Sequence, residues 1–70
     1  MIKANDMVKI IEKLPGIPEE CLYKLGLVVK GPYEDSIVIQ PRSTLVCLVC
    51  DVMIEGVIYT AIPASNLLRL

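Results

Sequence analysis

Residues 44–62 constrain this chain more than any other part of it. Thr44-Leu45-Val46-Cys47-Leu48-Val49-Cys50 carries no charge, Asp51 interrupts, Val52-Met53-Ile54 resumes, and Val57 to Ile62 is apolar apart from Thr60. Runs this rich in β-branched residues are strand formers. Glu55-Gly56 between them suits a two-residue hairpin loop, with Gly56 supplying the positive φ such a turn needs. Across that loop the regular register pairs Ile54 with Val57, Met53 with Ile58, Val52 with Tyr59, Asp51 with Thr60, Cys50 with Ala61 and Val49 with Ile62. Alternation then separates two faces. One carries Ile54, Val57, Val52, Tyr59, Cys50 and Ala61, continued by Leu48 and Val46, and reads as a core face. The other carries Leu45, Cys47, Val49, Met53, Ile58 and Ile62, relieved only by Asp51 and Thr60. An antiparallel sheet with one side in water should be polar on that side. Three covers are available for this second face: the segment 18–25, the connection from Tyr33 to Ser43, or another polypeptide. A strongly bent strand would also turn part of it inward.

Seventy residues suffice for one small domain, spanning 1–70, and leave little material to bury both faces of a hairpin. Phe and Trp are absent, so the core is built from Ile, Leu and Val. Pro and Gly punctuate the chain singly, without repeats or a linker. Met7, Ile10, Ile11 and Leu14 fit a helical stripe, but Val8 and Ile10 alternate with Lys9 and Pro15-Gly16 ends the run, which favours an opening strand. Pro18, followed by Glu19 and Glu20, with Lys24 and Gly26 beyond, predicts one or two helical turns over 18–25. Leu27 to Lys30 and Ser36 to Gln40 read as strands separated by a turn from Gly31-Pro32 through Asp35. After a break at Pro41-Arg42-Ser43 comes the hairpin, then a turn at Ala64-Ser65-Asn66 and a last strand from Leu67 to Leu70. The fold class is mainly β.

This order of elements resembles the small Src-homology-3-like barrels. The resemblance rests on the strand Val8 to Leu14, the irregular loop Pro15 to Leu25, the strand entered through Leu25-Gly26-Leu27-Val28-Val29, the hairpin Ile54-Glu55-Gly56-Val57, and the Pro63-Ala64-Ser65-Asn66-Leu67 corner before the terminal Leu-Arg-Leu. It implies a barrel of about five to six antiparallel strands with one short helical segment. Such barrels serve as adaptors, translation and transcription modules and subunits of complexes, so the architecture does not choose among them. The aromatic cluster with which peptide-binding members grip proline-rich ligands is missing here.

Chemistry is excluded more firmly than it is indicated. With no histidine, the commonest general base and the usual activator of Ser and Cys nucleophiles are gone, and no nucleophile–base pair or cofactor loop can be assembled. Cys47 and Cys50 have the spacing of half a zinc site or a redox pair. Inside a strand, however, residues three apart point to opposite faces, and Cys21 alone cannot complete a ligand set. The three thiols read as small buried hydrophobes, without metal or cofactor. Glu19-Glu20 reads as helix-start chemistry and Glu34-Asp35 as a solvated turn. No apolar run reaches the ~18 residues of a membrane-spanning helix, the start lacks an export signal, and three cysteines make no secreted disulfide framework, so the expected compartment is the cytoplasm.

Formal net charge is -1. Lysines 3, 9, 13, 24 and 30 stand against four acids in residues 1–30, for a net +1, and two arginines against four acids in 31–70, for a net -2. The expected function is therefore a non-enzymatic protein-interaction module, a homo-oligomer or an accessory subunit, with no small-molecule substrate. Its contact residues are Leu45, Cys47, Val49, Asp51, Met53, Ile58, Thr60 and Ile62. The alternative is a nucleic-acid-binding barrel using Lys9, Lys13 and Lys30, with Tyr23 and Tyr33 to stack on bases; the acidic pI of about 5.2 opposes it.

Overall fold

A computed structural model of the chain describes residues 1–12, 17–40 and 43–70. It is mainly β, as expected: five antiparallel strands in one open sheet. They are β1 (Met7–Ile10), β2 (Leu25–Gln40), β3 (Ser43–Ile54), β4 (Val57–Pro63) and β5 (Leu67–Arg69), in the spatial order β4-β3-β2-β1-β5. The barrel expected from the resemblance is thus an unclosed sheet with β4 and β5 as its edges. It curls far enough that residues from all five strands meet in one core: Val8, Ile10, Val28, Cys50, Val52, Ile54, Ile62 and Leu67, joined by Cys21 from the loop before β2.

Several elements differ from the sequence reading, each for a local reason. The opening strand ends at Ile10, and Lys13 to Gly16 lie outside the described residues. The helical segment over 18–25 shrinks to one 3-10 turn, Glu19–Cys21. Tyr23 adopts φ 63 and its amide donates to the carbonyl of Ile10 at 2.9 Å, which returns the chain to β1 and lets β2 begin at Leu25. The corner before β5 is a second 3-10 turn, Ala64–Asn66. Its buried Asn66 accepts from the amide of Ile11 at 3.0 Å through its own carbonyl.

The expected turn at Gly31-Pro32 is instead a kink inside a continuous strand. Sixteen residues of straight strand would run about 50 Å, whereas the longest dimension of the molecule is 34 Å. β2 therefore has to bend. It does so at irregularities between Val28 and Lys30 and between Lys30 and Tyr33, where the pairing steps from Lys30 opposite Asp51 to Tyr33 opposite Val49. Proline has no donor for the ladder and is tolerated at such a step. Gly31 is required there: its φ is +115, and a Cβ would stand 2.9 Å from the carbonyl oxygen of Val49.

The hairpin loop is as expected, with Glu55 at φ 51 and Gly56 at φ 81, the two positive angles of a tight turn matched to strand twist. Ile54 opposite Val57, Met53 opposite Ile58 and Val52 opposite Tyr59 all follow the expected register. Beyond them the register shifts, so that Cys50 faces Ile62 and Val49 faces Pro63. Thr60 and Ala61 together oppose Asp51, with Ala61 at φ 57, the left-handed angle of a β-bulge.

Candidate functional site

One bulge reassigns the proposed contact residues. The extra residue at Thr60–Ala61 reverses the alternation of β4 beyond it, so Ile62 enters the core at 1% exposure, where Ala61 was expected. Asp51 holds this arrangement. Its Oδ1 accepts from the amide of Ala61 at 3.0 Å and from the hydroxyl of Tyr33 at 2.6 Å. The carboxylate thus takes up a backbone donor near the shift in register, and an alternation count along the chain cannot see it. Because its proton is donated to Asp51, the Tyr33 phenol ionises above the ordinary value of 10.0. The stability this bond contributes is complete below that pH and is lost as pH rises past the folded-state pKa.

The other expected contact residues divide. Val49 is fully buried, between Tyr33 and Pro63 on the neighbouring strands, and stands outside the main core cluster. The chain thus covers its own second face there. Ile58 is exposed, Thr60 is exposed, and Met53, Asp51 and Cys47 are half-buried. The side chain of Leu45 lies outside the described residues. Two residues assigned to the core face are not in the core: Val46 is 62% and Leu48 44% exposed, because β2 and β3 run on past it as a two-stranded arm.

The apolar second face does not end at the hairpin. Met53 pairs with Ile58 on β4 and with Leu27 on β2, and Leu27 pairs with Met7 on β1. Residues directly paired across antiparallel strands share a face, so Ile58, Met53, Leu27 and Met7 form one apolar row over four strands, about 14 Å wide at ordinary strand spacing. Beside it on the same face, Lys9 pairs with Leu25 and Leu68, both about half exposed. The half-buried stem of Lys9 can lie along these leucines with its ammonium in water. Period-2 alternation in β1 and β2 carried this signal, in Met7, Leu25 and Leu27, but linking it to the hairpin required the strand order.

The residues of the nucleic-acid alternative are not gathered. Lys9 and Tyr23 lie near the end of β2 that begins at Leu25. Lys30 and Tyr33 lie at least five residues further along, about 16 Å in a strand. The Lys30 ammonium sits 5.1 Å from the centre of the Tyr33 ring, whose hydroxyl is engaged by Asp51. Lys13 lies outside the described residues. The three cysteines are unpaired with one another, Cys21 and Cys50 being buried. Cys21 donates to the hydroxyl of Tyr59 at 3.4 Å, and burial raises the Cys50 thiol above its ordinary pKa. Among the described residues no three Cys, Asp or Glu side chains converge on a metal position, and no helix is long and apolar enough to cross a membrane.

No protein-family model, curated protein or solved structure matches this chain.

Proposed function

We propose that this chain is a non-enzymatic protein-interaction module, a homo-oligomer or an accessory subunit of a larger assembly, and that the outer face of its sheet makes the contact. The observation that carries this reading is the row Ile58–Met53–Leu27–Met7, with Leu25 and Leu68 beside it. A continuous apolar surface on the water side of a sheet is a cost to a protein that works alone and a contact surface to one that does not. The chemistry of the chain adds support, since it lacks the histidine on which most acid–base and nucleophilic sites depend.

The test compares tagged protein recovered from its own cells as parent, as Lys3→Glu and as Met53→Lys/Ile58→Lys, with fold checked by circular dichroism and mass by light scattering. The expected result is at least one stoichiometric companion, another protein or a further copy, that stays with the parent and with Lys3→Glu and is lost from the folded double variant. A parent with no companion, or a double variant that keeps every companion of the parent, overturns the reading.

A further inference from the structure

The β2–β3 arm offers a second, different surface. β4 accompanies β3 only as far as Val49 opposite Pro63, while β2 continues beside β3 to Gln40 opposite Ser43. Over residues 43–48, then, β3 has a strand on one side only among the described residues, and its other edge presents backbone donors and acceptors that no described strand takes up. The side chains over this stretch are exposed at Thr44, Val46 and Leu48.

We infer that this edge pairs with the same edge of a second copy, β3 antiparallel to β3 about a two-fold axis near Val46, joining two arms into a four-stranded ribbon. Charge selects this edge and this occupant. Two-fold antiparallel pairing sets the residue on the axis against its own copy and each neighbour against the residue an equal distance beyond the axis, so like charges clustered near the axis of a self-pairing edge oppose one another. From Ser43 to Cys50 there is no charge. The opposite edge of the arm, on β2, carries Glu34 and Asp35, both exposed, and a two-fold pairing centred on them would set acid against acid. β4 has only four regular residues before its bulge at Ala61, with Pro63 at its end and the Lys24–Glu55 ion pair of 2.9 Å beside its start. β5 is three residues long and includes Arg69. Edge strands are ordinarily protected by charge, proline, bulges or shortness. The other edges each show one of these devices and the β3 edge shows none. A lone two-stranded ribbon is also marginal in water, whereas four strands are not.

The experiment measures solution mass from micromolar to near-millimolar concentration for the parent, Val46→Lys and Ile58→Lys, with amide hydrogen exchange over Thr44–Leu48 read at both ends of the range. Val46 is exposed, so its lysine variant keeps the fold, and on the two-fold axis it sets two ammoniums against each other. The expected results are a dimer in the parent, about tenfold weaker dimerisation in Val46→Lys, an unchanged dimer in Ile58→Lys, and protection of Thr44–Leu48 that rises with parent concentration. A parent that stays monomeric, a Val46→Lys protein that dimerises as the parent does, or open-ended aggregates in place of dimers would overturn the pairing. A dimer lost in Ile58→Lys and kept in Val46→Lys also overturns it, while supporting the outer-face reading. Loss in Val46→Lys alone leaves the pairing standing whatever becomes of the outer face.

Discussion

The two halves of β3 have nearly the same composition and different fates. From Val49 to Ile54, four of six side chains are buried, namely Val49, Cys50, Val52 and Ile54. From Thr44 to Leu48 the described side chains are exposed or half-buried. Both halves are strand and both pair with β2. They differ in what the rest of the chain can bring to them. The half from Val49 to Ile54 receives β4 on its other edge, the 3-10 turn at Ala64–Asn66 and the opening strand across the core. The half from Thr44 to Leu48 has outrun all of these. Apolar sequence makes a strand wherever it lies, but it makes a core only where a second layer arrives.

This contrast breaks most visibly at Ile62. Ile62→Ala should cost about 2–5 kcal/mol in urea-induced unfolding, because the bulge has put this side chain in the core. Leu48→Ala, an equal truncation in the arm, should stay within about 0.5 kcal/mol. Equal losses at the two positions would mean that the arm is packed as the body is. A smaller effect tests the device that divides the regions. Asp51→Ala leaves the amide of Ala61 and the hydroxyl of Tyr33 without their acceptor and should cost about 1–3 kcal/mol, while Asp51→Asn, which keeps an acceptor, should lose less. An unchanged midpoint in both would show that the bulge holds itself. The smallest effect has the opposite sign. Ala61→Gly removes a Cβ from a left-handed residue and should stabilise by a few tenths to about 1 kcal/mol, and a loss in the same urea titration would mean that Ala61 does not adopt φ 57 in solution.

Much of the fold was legible in the residues, because the interactions that create it are local. The strand character of Val52–Ile54 and Val57–Tyr59, the turn at Glu55-Gly56 and the first three cross-strand pairs follow from β-branching, alternation and one glycine. The core membership of Ile62 was not legible. It depends on a carboxylate accepting from an amide ten residues later in the chain, and alternation counted past that point assigns Ile62 and Ala61 to the wrong faces. Gly31-Pro32 misled for a related reason. The pair reads as a turn whenever the chain is short of partners, but here β3 runs past it on the other side and holds both flanks in one ladder.

The outer face shows the same division. That each strand carries apolar residues on both sides is a property of the sequence alone, fixed by the order of Met7, Leu25, Leu27, Met53 and Ile58 along it. That these form one row was decided by the strand order and by three registers, which set Met7 against Leu27, Leu27 against Met53 and Met53 against Ile58. Backbone pairing between segments up to 26 residues apart in the chain depends on which loops can close and which bulges are held, and no local pattern of residue types carries that information.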